Sequence, residues 1–419
     1  MYQYILASLL IAGQLTGYSA PDQTEALISR IPDEPIPYTS YAGPILPLEV
    51  QTEGLAADRS VSLDLSAGDG TALVTDRYVL SNPDSAARTV QLCYPFITPV
   101  QSLATYTPEA KMDSSALPSE VLVGGWNSWG GIEPTGFDTL ADYIESGAAL
   151  ADAQAEAELG SREVTLYTFS GLALPENGEA AFVIPATDRP YAVFSSGMGS
   201  RYGGGMQTYI LDRPEQAESV LLLVLEPLPA DAGLRFYDSS GAPATGACQV
   251  ETQSMPLEQA LETCVAAYLA REPEEDAAAC TDAQFARALV TALPDTLLRD
   301  PSQLYGEGSL RSVFDAVVWH QRVNYLQSEV TIPANGSIEV EYTMRKAGSF
   351  DQSGSYPGLC GYEIVTSTGS ALDFRRITAT TVAAEGCASK WKTPVPDPLE
   401  DAAVLSVEVP LYTLGAAFS

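Results

Sequence analysis

Runs in which apolar and polar residues alternate recur along most of this chain, and that period of two constrains the fold more than any other feature. In "SIEVEYTM", Ile338, Val340, Tyr342 and Met344 share one side of an extended backbone. That is the pattern of a strand with one buried face. "SVSLDLS" does the same with Val61, Leu63 and Leu65, and "TVQLCYPF" with Val90, Leu92, Tyr94 and Phe96. Together with "TALVTDRYVL", which meets the second of these across the turn-rich "SNPDSAA", they predict an antiparallel sheet buried on one side. Further strands are expected at "EVTLYTFSGL", "EAAFVIPA", "QTYIL", "RVNYLQSEVTI", "YEIVTS", "RRITATTV" and "VLSVEVPLYTL". The unbroken apolar run in "SVLLLVLEPL" suits a strand covered on both faces.

The period changes in two places. "FDTLADYIESG" places Leu140, Tyr143 and Ile144 on one helical face before Gly147. From Ser254 the spacing becomes 3.6: "PLEQALETCVAAYLARE" puts Leu257, Leu261, Cys264, Val265 and Tyr268 on one stripe, and "TDAQFARALVTAL" opens with a capping box at Thr281 and Gln284. The fold class expected is mainly β with helical insertions, arranged as two β-sandwich-like modules joined by a helical connector. The boundaries expected are an export segment over 1–20, a proline-rich linker over 21–50, a sandwich over 51–253 with an irregular insertion at 101–160, a connector over 254–308 and a second sandwich over 309–419. One internal similarity links the modules: "LPENGEAAFVI" from Leu174 and "IPANGSIEVEY" from Ile332 each run from proline into Asn-Gly and then into an alternating strand. Asn-Gly tolerates the positive φ that a tight turn demands, and such corners join strands in sandwiches.

The phrases "TDRYVLSNPDSAARTVQLCYPF" and "EVTIPANGSIEVEYTMRKAGSFD" resemble segments of uncharacterised exported β-rich proteins of Gram-positive, clostridial-type bacteria. The resemblance implies a surface or secreted protein and carries no catalytic residues with it. The opening agrees with export. Ile5 to Ala12 is an apolar run suited to the core of a signal peptide, too short to span a bilayer, and small residues Gly17 and Ser19 follow it. A lipid anchor would need cysteine where Tyr18 stands. No other run is long and apolar enough for a transmembrane helix, so an extracellular or envelope location is expected.

Charge narrows the partners. Lys and Arg number 21 against 54 Asp and Glu, a formal net charge of -33. A surface of that sign repels phosphate backbones, which argues against nucleic acid. Six cysteines without a CxxC pair, and a single histidine, rule out the usual zinc spacings, so no metal or other cofactor is expected. Disulfide connectivity is not readable, and Cys264 on a helical apolar stripe reads as a buried free thiol.

Catalytic signatures are equally sparse. A Ser-His-Asp or Cys-His arrangement would need His320, and no GxSxG elbow accompanies it. Paired carboxylates could serve a glycoside hydrolase, but an acidic chain offers too many for any pair to stand out. "GMGSRYGGG" lacks phosphate-loop spacing and reads as a loop between strands. The most suggestive stretch is "GGWNSWGG". Trp126 and Trp129, with Tyr202 as a companion, are candidate ligand-stacking rings because glycines on both sides let the loop project. No catalytic residue is assigned. The expected role is binding or adhesion to a glycan or a surface protein, with two alternatives: a glycoside hydrolase-like enzyme and the ectodomain of a membrane sensor.

Overall fold

A computed structural model of the chain describes residues 42–51, 54–67, 70–124, 143–144, 146–185, 192–196, 198–203, 205–211, 220–225, 227–271, 282–283, 286–287, 289–290, 305–306, 321–350, 359–367, 369–382, 390–391 and 404–410. The protein is mainly β with helical insertions. In chain order the first strands are β1 (Glu49–Val50), β2 (Ala56–Asp64), β3 (Thr71–Ser81), β4 (Arg88–Thr98), β5 (Glu109–Met112), β6 (Ser115–Ala116) and β7 (Glu120–Leu122), with a short helix α1 (Leu103–Tyr106) after β4. Helix α2 (Ala148–Gly160) leads to β8 (Glu163–Ala173), β9 (Glu179–Pro185), β10 (Ala192–Ser196), β11 (Met198–Gly203), β12 (Met206–Leu211), β13 (Val220–Val224), β14 (Gly233–Tyr237) and β15 (Ala247–Pro256). After helix α3 (Leu257–Arg271) come β16 (Tyr305–Gly306), β17 (Arg322–Ile332), β18 (Ser337–Ala347), β19 (Ser349–Phe350), β20 (Leu359–Val365), β21 (Asp373–Val382), β22 (Lys390–Trp391) and β23 (Val404–Pro410).

Two sandwiches result. The first pairs a sheet of order β1-β4-β17-β7 with one of order β21-β2-β3-β18-β5-β6. Alternation dictates their contact: Leu92, Tyr94 and Phe96 of the one sheet meet Val61, Leu63, Tyr78, Val340 and Tyr342 of the other in a single apolar cluster. Tyr94 stacks on Tyr342 with ring centroids 4.1 Å apart. The second sandwich pairs β15-β8-β13-β10-β16 with β11-β12-β9-β14 around Phe169, Phe182, Tyr209 and Leu222. A further sheet, β19-β20-β23-β22, joins the first sandwich through Ile45 beside Ile364.

β13 is covered on both faces, as its unbroken apolar sequence requires. Val220, Leu222 and Val224 face the second sandwich interior, while Leu221 and Leu223 join the cluster built on α3. That helix buries Leu257, Leu261, Cys264 and Val265 of the expected stripe, with Ala260 beside them, and Cys264 is a buried free thiol. Its burial pushes the thiol well above its ordinary pKa. Cys280 and Cys387 lie outside the described residues.

Several expectations need correction. The sandwiches do not divide into 51–253 and 309–419. β17 pairs with β4 over eleven residue pairs and β18 with β3 over eleven, so both strands complete the first sandwich. The second, β8 to β15 with the short edge strand β16, lies between β7 and β17 in the chain. The linker expected over 21–50 does not extend through residues 45–50, because Ile45, Leu46, Leu48 and Val50 are core residues; residues 21–41 lie outside the described residues. β2 and β3 pair antiparallel, but β4 crosses to the facing sheet. "GMGSRYGGG" is no loop: Met198–Gly203 pairs residue for residue with Met206–Leu211.

Candidate functional site

Trp126 and Trp129 lie outside the described residues, as does His320. Tyr202 is placed by its backbone in β11, opposite Gln207 of β12.

Among the described residues, the sheet with the most strands is six-stranded, and its outer face is polar. Because side chains alternate, each apolar position facing inward leaves a polar neighbour facing out. Register then lines those neighbours up across the strands. Thr343, Thr75, Ser62 and Thr380 form one row, and Glu341, Arg77, Ser60 and Thr378 the next. Arg77 Nη2 donates to Glu341 Oε2 at 2.7 Å, and Arg375 Nη2 to Asp58 Oδ2 at 2.7 Å. The result is a flat field of hydroxyls and paired charges, with Leu73 and Val382 exposed at one end.

A cleft of about 170 Å³ opens where the edge strand β7, the end of α2 and the start of α3 converge. Glu120, Glu156, Glu258 and Arg287 supply its charge, Ser161 a hydroxyl, and Val121, Val123 and Val290 its apolar wall. Arg287 Nε donates to Glu258 Oε1 at 2.9 Å. With more carboxylates than guanidinium groups, such a cleft favours a cationic or hydroxyl-rich group over an anion. No aromatic ring lines it among the described residues. These glutamates come from three separate elements, and their sequence surroundings do not set them apart from the other acids.

Several ionisable groups lie buried inside the protein. Arg59 on β2 and Asp76 on β3 are both fully buried. Arg59 Nε donates to Asp76 Oδ1 at 3.0 Å and Nη2 to Oδ2 at 2.7 Å; Nη1 donates to the carbonyls of Val365 and Thr366 at 2.6 and 2.7 Å. The hydroxyls of Tyr78 and Tyr94 each donate to Asp76 Oδ2 at 3.1 Å. Burial works against the Arg59 charge, but Asp76 more than offsets it, holding the guanidinium above its ordinary pKa. With its donors and acceptors paired this way, the network is a structural clasp between the two sheets and residues 365–366.

Glu49 and Lys346 are less well served. Glu49 is 7% exposed, and burial pushes its carboxyl up to about 8, with the nearby Tyr325 hydroxyl drawing it partway back. That proximity falls short of a hydrogen bond: Glu49 Oε1 and the Tyr325 hydroxyl oxygen are both buried without a partner. Cys93, opposite Glu49 in register, is pushed up to about 11 by burial. Lys346 Nζ donates to the Ala42 carbonyl at 2.6 Å, and burial pulls its amine down to about 7 against the opposing pull of Glu363. A carboxyl and an amine with such values can hold or release a proton near neutrality. Both are closed off from solvent, which favours a structural part over a catalytic one.

Sequence reasoning passed over Arg59, Asp76 and Lys346, although a signal was present. Each occupies the apolar phase of an alternating strand: Arg59 between Ala57 and Val61, Asp76 between Val74 and Tyr78, Lys346 two residues after Met344. A charge in that phase must be buried. Glu49 offers no such signal.

No family model matches the chain, and no curated protein matches it. Among solved structures it is compared with the crystal structure of amphioxus GFPc1a at 9% identity over 48% of this chain and 96% of that one, with a TM-score of 0.07. A likeness that slight carries no argument.

Proposed function

We propose that this chain is an exported protein of a Gram-positive bacterial envelope and that it acts by binding a glycan or a surface protein. The outer face of the six-stranded sheet supports the reading best. Its rows of hydroxyls, Thr343-Thr75-Ser62-Thr380 and the adjoining Ser60 and Thr378, match the repeating hydrogen-bond demands of a polar polymer. Paired charges beside them leave no strong local field to repel a neutral sugar chain. The buried charged groups Glu49, Arg59 and Lys346 sit in packing.

Binding to a panel of cell-wall polysaccharides and peptidoglycan fragments tests this. Thr75→Val with Ser62→Val on the sheet face, and Trp126→Ala with Trp129→Ala and Tyr202→Ala for the aromatic rings, should each weaken capture without changing the unfolding midpoint by more than a degree or two. Unaltered capture by both sets would remove the proposed surface. The carboxylates of the cleft favour a second reading, a glycoside hydrolase-like activity. Release of reducing sugar that disappears in Glu120→Gln or Glu258→Gln would establish it in place of simple binding.

A further inference from the structure

Eight strands of each sandwich have the same wiring; β16 of the second and β21 and β6 of the first stand outside the match. The sheet β1-β4-β17-β7 corresponds strand by strand to β10-β13-β8-β15, and β2-β3-β18-β5 to β11-β12-β9-β14. Every neighbouring pair in all four rows is antiparallel. Read along the chain, β1, β2, β3, β4, β5, β7 are followed by helix α2 and the pair β8–β9. Then β10, β11, β12, β13, β14, β15 are followed by helix α3 and the pair β17–β18. The helices occupy matching places too: α2 packs on β7 and β17, α3 on β15 and β8.

The closing pairs match in detail. β8 and β17 are each eleven residues long, and each passes to the facing sheet through Pro-x-Asn-Gly. Asn177 and Asn335 hold φ of 52° and 47°, and the following glycine amide donates to the proline carbonyl at 2.9 and 3.1 Å. A Cβ on either glycine would crowd its proline Cβ, at 2.8 and 2.9 Å. Yet each closing pair lies in the sandwich of the other copy. β17 sits between β4 and β7, and β8 between β13 and β15.

We infer that the chain is two tandem copies of one unit that have exchanged their closing strand pairs, so that each copy is a partner built to receive the β8–β9 or β17–β18 corner of a second copy. Because the donated strands are interior to their sheets and not added at an edge, each copy without its partner's strands is two half-sheets with an open slot. The slot accepts an eleven-residue strand before one Asn-Gly corner and a strand of seven (β9) or eleven (β18) residues after it.

A cross-link in the full chain tests the exchange. Thr89 on β4 and Thr331 on β17 are exposed register partners with their hydroxyls 2.9 Å apart, so Thr89→Cys with Thr331→Cys should form a disulfide. The corner prolines are 158 residues apart (333 − 175), which places Ala173 at the position equivalent to Thr331. Thr89→Cys with Ala173→Cys would link only if each copy closed on its own corner. With a protease site inserted between Pro185 and Ala192, exchange predicts that the cut halves co-elute, that the first variant runs as one band without reductant, and that the two new cysteines of the second, which lie on the same half, stay reactive towards maleimide. Two bands for the first variant with the second variant's new cysteines blocked as an internal disulfide, or halves that part on gel filtration in the cut parent, overturns the inference. The cut parent without added cysteines controls for its native thiols.

Discussion

The two sandwiches share a topology and differ in how they are held. In the second, β8 to β15 form one unbroken stretch of chain, and the interior is apolar and aromatic: Phe169 and Phe182 meet edge to face at 5.4 Å among Leu222, Val220 and Ile184. The first is assembled from two distant stretches, and Leu122 of β7 pairs with Tyr325 of β17 across the whole intervening module. Its interior carries the Arg59–Asp76 clasp and two tyrosine hydroxyls. A contiguous core tolerates non-directional packing because its strands are near neighbours before they pair. A sandwich closed from strands far apart gains more from directional bonds that only one register satisfies.

The sharpest way to break the contrast is to remove one member of the clasp. Asp76→Ala strands the Arg59 guanidinium and both tyrosine hydroxyls, and should cost about 3–5 kcal/mol in urea unfolding. Replacing Arg59 and Asp76 together with Met and Leu should recover much of that, since a matched apolar pair avoids the desolvation. If the double variant is no more stable than Asp76→Ala, directional bonding in this sandwich is worth more than proposed. In the second sandwich Leu222→Ala, at a fully buried site, should cost about 2–5 kcal/mol. The loss should spread in one direction. Unfolding β8 to β15 lengthens the loop that the β7–β17 pairing must close, so Leu222→Ala lowers protection of amides in β4 and β17 as well. Val340→Ala in the first sandwich should leave amides of β9 and β12 at their parent exchange rates.

Proton uptake should also separate the two. Glu49 binds a proton more tightly folded than unfolded, its pKa moving from an ordinary 4.5 to about 8. The folded state then holds the extra proton, so stability is full below about pH 4.5 and falls as pH rises toward 8. Lys346 has the opposite sign. Its amine is pulled from 10.5 to about 7, the unfolded chain holds the extra proton between those values, and stability rises with pH across that window. Both groups belong to the first sandwich. Glu49→Gln should flatten the falling limb and Lys346→Met the rising one, each in melting temperature measured from pH 5 to 10; an unchanged profile in either variant would remove that group from the account.

Legibility followed the physics of local pattern. β18 was readable because strict alternation fixes which side chains are buried, and the Asn-Gly corners because positive φ selects those residues. Alternation says nothing about which sheet a strand joins. Tyr78 and Tyr94 sit in equivalent patterns but in facing sheets, and the partners of β17 are far back in the chain. Helix α2 escaped notice because what it buries is mostly small, Ala149 and Ala153 with Leu150, so its apolar stripe is faint. The strand Met198–Gly203 escaped because glycine carries no alternation, although it pairs with β12 residue for residue. The cleft glutamates were invisible for a different reason: only the meeting of β7, α2 and α3 makes them neighbours.

The smallest effect sharpens the comparison from the surface. On the first sandwich, Arg375 pairs with Asp58 at 2.7 Å and Arg77 with Glu341 at 2.7 Å, all well exposed apart from Glu341 at 21%. On the second, Arg201 faces Glu179 at 3.6 Å, also exposed. Pairs of this kind contribute about 0.2–1 kcal/mol and weaken with salt. Asp58→Asn should therefore lower stability by no more than about 0.5 kcal/mol at low ionic strength, with the difference gone near 1 M salt. Arg77 differs because Glu339 at 3.5 Å and Glu341 hold it from the same strand, with Lys111 4.0 Å from Glu341. That shared network raises its pKa chiefly through the Glu341 hydrogen bond. Arg77→Gln leaves two neighbouring carboxylates facing each other on β18, and should cost more than Asp58→Asn at low salt. A double-mutant cycle on Arg77 and Glu341, run at low and high salt, would read the coupling directly. Equal, salt-independent effects at both sites would mean that the outer face is held by packing of the strands beneath it and that its charges serve only what docks there.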